Sequence, residues 1–174
     1  MGRMVCDAFK KIELMKPHFR PAKVDDVYVL YPKIREVDVE EVKATIGLNI
    51  KDGLMASYQT SDETYTMVAD DGDLVGMFGL TKTADPLISV VWMLCTERLP
   101  QYSKTFIKLS KQWVIEQNKK HSILMNYVDA RNITSIKWLK HLGFVLIKRV
   151  EEFGIGKKPF YEFLRIQECV HKQQ

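Results

Sequence analysis

The chain has 174 residues, 46% of them hydrophobic, which is enough to bury a core and matches the usual length of one domain. Its net charge of +4 is spread along the sequence, apart from pairs such as Lys119-Lys120 and Lys157-Lys158, so no electrostatic footprint for nucleic acid stands out. No apolar run approaches the roughly 20 residues of a spanning helix, and Arg3, Asp7, Lys10, Lys11 and Glu13 interrupt any signal-peptide core, so a membrane partner is not expected.

Cys6, Cys95 and Cys169 are odd in number and far apart, and they suggest neither a disulfide framework nor a zinc site. A reducing, cytoplasmic setting follows as an expectation. His18, His121, His141 and His171 share no ligand spacing, and no metal is expected.

In chain order, Phe19 to Asp26 reads as a short strand running into a helix, with Asp25 as its N-cap and Pro32 as its stop. Asp38-Val-Glu-Glu41 reads as a variant capping box opening a helix that Gly47 ends, and residues 50–59 make a further short helix. A hairpin follows over residues 64–80, with Asp71-Gly72 supplying the positive φ of its turn. Residues 87–94 are apolar nearly throughout, as a central strand covered on both faces should be.

Between Tyr102 and Lys120 the positions Tyr102, Phe106, Leu109 and Trp113 step by four, three and four, which predicts a long helix burying that stripe, Leu109 and Trp113 included. Residues 123–128 then give a strand. Asn132 caps a helix whose Ile133, Ile136, Leu139 and Leu142 form a buried face and whose stop is Gly143. Residues 144–150 and 160–166 are a last pair of strands, with the glycine-containing stretch 151–159 between them read as a turn or mobile loop.

Asn132, Ser135, Ile136, Trp138, Gly143 and Phe144 together resemble the second half of the acyl-CoA-binding core of GNAT-type N-acyltransferases. The opening strand, the hairpin and the closing strand fall in the same order as in that family, so the resemblance covers residues 19–166. It implies an α/β fold with a mixed central sheet flanked by helices, an N-terminal extension over 1–18 and a tail over 167–174. It further implies acetyl-CoA as acyl donor and an amine, small molecule or protein, as acceptor.

Within that resemblance Met93 and Cys95 would line a pantetheine channel. Arg98, Gln101 and Ser103 would meet the CoA pyrophosphate at the start of the long helix, and Asn132 would add a contact from the next. The segment departs from the family pattern in two ways. Gln101 stands where glycine is usual and Pro100 removes one N–H, while Leu139 replaces the tyrosine that protonates the leaving thiolate. No catalytic base is fixed by the motif; Asp129 and Glu97, at the ends of their strands, are the candidates.

A narrower resemblance, over residues 102–132 with the Asn126-Tyr127-Val128 strand, is to the GNAT-like internal virion proteins of short-tailed phages. It implies an alternative, a GNAT-fold protein without catalysis that acts by protein contact, as a virion component or a host-directed inhibitor; on either reading a protein partner or a homodimer stays open.

Overall fold

The computed structural model describes residues 16–167, so most of the expected extension and tail, with Cys6, Cys169 and His171, lies outside the described residues. In chain order the elements are β1 His18–Pro21, α1 Val24–Leu30, α2 Glu36–Ile46, α3 Ile50–Thr60, β2 Glu63–Val68, β3 Leu74–Lys82 and β4 Ile88–Cys95. They continue with α4 Ser103–Lys120, β5 Ile123–Asp129, α5 Ile133–His141, β6 Val145–Phe153 and β7 Lys158–Ile166. Single 3-10 turns at Tyr31–Lys33 and Leu99–Tyr102 lead towards α2 and α4. Among the described residues, no helix is long and apolar enough to cross a membrane.

The strands form one sheet in the order β1-β2-β3-β4-β5-β7-β6, and every neighbouring pair is antiparallel except β4 with β5. That parallel ladder registers only Ile88, Ser89 and Val90 against Ile123, Leu124 and Met125. Beyond it the two strands part. Alternation along β4 sends Val91 and Cys95 towards α4 and α5, and Leu94 towards α1, α2 and α3, so a layer of core lies on each face of the sheet.

Local chemistry shifts several predicted details. Lys23, not Asp25, precedes α1, and it is the Asp26 carboxylate that accepts the Lys23 N–H at 2.9 Å. Arg35 caps α2, which places Asp38 inside the first turn. On α4 the buried stripe is Phe106, Ser110, Val114 and Gln117, while Leu109 and Trp113 flank it half-buried, because α4 rolls to set Trp113 edge-on to Phe78 at 5.0 Å.

Stretch 151–159 is mostly strand. Its Gly154–Lys157 turn is tied down because the Ile155 and Gly156 N–H groups donate to Thr45 O at 3.3 Å and Ala44 O at 2.8 Å, satisfying carbonyls at the end of α2.

Candidate active site

Each β4 residue turns its backbone groups to one side, and the Thr96 N–H bonding Val75 O sets the even positions towards β3. Val91, Met93 and Cys95 therefore face the gap where β5 has pulled away. The Val91 carbonyl accepts from Asn126 Nδ2 at 2.9 Å, a side chain bridging the gap at its closed end. At the open end Cys95 is filled from α2, since its N–H donates to Asp38 Oδ2 at 3.0 Å and its carbonyl accepts the Arg35 N–H at 2.9 Å. Met93, between them, has no strand partner on that side.

The Met93 side chain lines a cavity of 270 Å3 that passes through this gap. Ser110, Trp113, Val114, Trp138 and Leu139 line it from the α4 and α5 face, and Glu41, Thr45, Ser57 and Trp92 from the opposite face. Cys95 does not line it: its Sγ lies so close over Gly76 that a Cβ there would come within 2.7 Å, and burial pushes its thiol pKa up. The Cys95 contribution is thus its backbone.

A polar bolt closes the mouth of the gap. Arg35 and Asp38 are both buried and form a forked ion pair at 2.6 to 3.0 Å, and Arg35 also reaches Ser135 Oγ at 3.3 Å. Asn132 accepts the Ser135 N–H at 3.2 Å as the α5 cap, and its Nδ2 donates to Asp38 Oδ1 at 3.1 Å and Glu41 Oε2 at 2.8 Å. Asn132 is therefore brought to the site, but it faces carboxylates on α2.

Glu41 is the titratable group of interest at the cavity. Burial raises its pKa to about 7, with the neighbouring negative charges of Asp38 and Asp129 adding to the rise and the Asn132 and Asp129 N–H bonds opposing it. The sequence-based candidates fare differently. Asp129 is buried and spent on Arg131, which it meets at 2.6 Å and which holds it below its ordinary range against burial's upward push. Glu97 is exposed and does not line the cavity.

Two further polar atoms were not singled out from sequence. Trp113 Nε1 and Trp138 Nε1 are buried, both residues line the cavity, and neither indole N–H has a partner among the described residues. An unmet buried donor is costly, and a carbonyl-bearing ligand in the cavity would relieve it.

The start of α4 is built otherwise than its sequence suggests. Arg98 Nη1 donates to Asp73 at 2.9 Å, and Nη2 to Asp71 at 2.8 Å and to the Tyr102 hydroxyl at 2.9 Å. The N–H groups of Arg98, Leu99, Gln101 and Ser103 all bond within the turn, to Thr96 Oγ1, Thr96 O, Arg98 O and Pro100 O. Gln101 is exposed and Ser103 half-buried, and none of Arg98, Gln101 and Ser103 lines the cavity.

The fold as a whole has counterparts among solved structures. Spermidine N-acetyltransferase from Vibrio cholerae, solved in complex with CoA and spermine, matches with a TM-score of 0.66 at 12% identity, over 87% of this chain and 96% of that one. A GCN5-related N-acetyltransferase from Kribbella flavida matches with a TM-score of 0.66 at 17% identity, over 86% and 97%. A GNAT-family acetyltransferase from Bacillus anthracis matches with a TM-score of 0.65 at 9% identity, over 88% and 96%. The chain has the GNAT fold. No protein-family sequence model matches it, nor does any curated protein sequence.

On this GNAT fold the parted β4 and β5 suit the extended arm of an acyl-pantetheine. Met93 offers backbone groups as a neighbouring strand would, and two of the residues that line the cavity, Trp113 and Trp138, carry buried indole donors without a partner among the described residues. At the start of α4, by contrast, the N–H groups of Arg98, Leu99, Gln101 and Ser103 are bonded within the turn.

Glu41 escaped the sequence reading because the capping-box pattern claimed it for the helix start. One signal was available: Arg35, Asp38 and Glu41 recur every three residues and so share one face of α2.

Proposed function

We propose that this chain is an N-acyltransferase that moves an acyl group from the sulfur of acetyl-CoA, or a related pantetheine thioester, to an amine. The single observation that carries the reading is the cavity open through the sheet, with a carboxyl of pKa about 7 on its α2 face. Donor and acceptor can then meet from opposite faces, each excluding water from the other.

In this reading Glu41 takes the proton of the attacking amine, and a base whose pKa lies near the working pH suits that task. The Met93 N–H, aimed into the gap, holds the thioester oxygen as negative charge grows on it. The amine nitrogen bonds to the carbonyl carbon, the carbon–sulfur bond breaks, and the thiolate leaves. Leu139 lines the cavity but cannot protonate that thiolate, so the proton collected by Glu41, or one from water, completes the thiol.

The polyamine bound by the Vibrio cholerae enzyme makes spermine a first acceptor to try, beside lysine peptides and small primary amines. The test is thiol release from acetyl-CoA over this panel. Release should be amine-dependent and should fall by about 100-fold or more in Glu41→Gln, the usual scale of lost general-base catalysis. No release above the spontaneous rate, together with no thermal shift by acetyl-CoA, would leave the non-catalytic alternative standing.

A further inference from the structure

The start of α4, where the family resemblance places the CoA pyrophosphate, is taken in this chain by its own carboxylates. Asp70, Asp71 and Asp73, on the turn between β2 and β3, converge on Arg98, Tyr102 and Lys33: the Tyr102 hydroxyl donates to Asp70 at 2.8 Å and Lys33 Nζ to Asp73 at 2.8 Å. Three carboxylates face two cations, so the cluster carries one net negative charge before any ligand arrives.

The turn is also fixed internally. Asp71 accepts the Asp73 N–H at 3.0 Å, Asp73 accepts the Leu74 N–H at 2.9 Å, and Gly72 adopts φ +85°. The Arg98 hydrogen bonds hold Asp71 below the ordinary carboxylate range, and the Lys33 hydrogen bond does the same for Asp73, so both stay charged. With Pro100 lacking an N–H and its neighbours bonded within the turn, the helix start offers a phosphate neither free turn donors nor the Arg98 cation.

We infer that this chain recognises its acyl donor by the thioester and pantetheine arm alone and draws no affinity from the 3′-phospho-ADP half of CoA. Asp71 and Asp73 are the residues that set this specificity, by holding Arg98 away from a phosphate. The inference rests on the acyltransferase reading, since it concerns the donor of the same site. Its consequence is a donor class wider than CoA: any acyl-pantetheine thioester, whatever its far end bears, is accepted on similar terms.

The experiment is calorimetric binding of acetyl-CoA and of S-acetyl-pantetheine, without amine, to the wild type, to Asp71→Asn/Asp73→Asn and to Arg98→Ala. In the wild type the two dissociation constants should agree within about threefold, and added salt should not weaken acetyl-CoA, because no net attraction is there to be screened. The double Asn variant frees Arg98 and should tighten acetyl-CoA by about tenfold, one charge-assisted contact, while leaving acetyl-pantetheine unchanged. Arg98→Ala should leave acetyl-pantetheine unchanged and weaken acetyl-CoA by no more than about threefold, the screened effect of one added net negative charge at an exposed cluster.

Acetyl-CoA bound tenfold or more tightly than acetyl-pantetheine by the wild type would overturn the inference and leave the acyltransferase reading intact. The same holds for loss of acetyl-CoA binding in Arg98→Ala with acetyl-pantetheine retained. Binding of neither donor would overturn both.

Discussion

In the proposed acyltransferase, the Glu41 carboxyl ties folding and catalysis to the same proton. Burial first, then Asp38 and Asp129, lift its pKa from 4.5 to about 7 in the folded chain. Below pH 4.5 folded and unfolded states both hold the proton. Between 4.5 and 7 only the folded state does, so stability falls as pH rises, by about 3 kcal/mol for a difference of about 2.5 pH units. The rate should move the other way, with kcat/KM climbing through pH 7 as the base ionises. Glu41→Gln should flatten both profiles, unfolding at higher denaturant than the wild type at pH 8 and at similar denaturant at pH 4.

A neighbouring residue gives a cleaner test of binding. Trp138→Phe removes an indole N–H that has no partner among the described residues, so melting should shift by only a few degrees, while donor affinity should fall by about five- to tenfold through one lost hydrogen bond. What was legible at this scale was what is local. Asn132 was readable as a cap because its partner Ser135 is three positions on. Its bonds to Asp38 and Glu41 span 94 and 91 positions and leave no trace in a window of sequence.

Among the elements, the Gly154–Lys157 turn shows how a glycine-rich stretch that reads as mobile can be an anchor. A Cβ at Gly154 would lie 2.4 Å from Ala44 O, and the residue has φ +66°. Gly154→Ala should therefore displace the turn from the end of α2, break the Gly156 bond to Ala44 O, and cost about 2–3 kcal/mol in equilibrium denaturation. Sequence periodicity located the strands and helices because a buried face repeats every few residues. It set the α4 stripe one position off because aromatic side chains reach sideways: Trp113 contributes its edge to Phe78 and Tyr65 without lying at the centre of the face. The 3-10 turn at Leu99–Tyr102 was hinted at by Pro100. The capture of Arg98 by Asp71 and Asp73 was not, since those residues lie 27 and 25 positions away.

At the scale of the whole molecule, the element order carried the fold, and the family resemblance implied a pantetheine channel at Met93 and Cys95 without marking where β4 parts from β5. Nothing in two apolar strands says where their ladder will stop. The parting can be measured directly by hydrogen exchange: the Met93 amide, aimed into the gap, should exchange faster than that of Leu94, which bonds β3, and acetyl-pantetheine should slow Met93 selectively.

The three-pair seam has a further consequence for how the chain can be cut. On one side of it lie β1 to β4, on the other β5, β7 and β6, each side laddered along its length and joined to the other by the seam, the helices and the bolt of Arg35, Asp38, Asn132 and Ser135. A chain opened at Ser122, between α4 and β5, separates the two sides into pieces 1–121 and 122–174. Mixed together, the pieces should reassemble, and an acyl-pantetheine should tighten their union, because a ligand lying between β4 and β5 touches both and acts as the missing rung of the sheet.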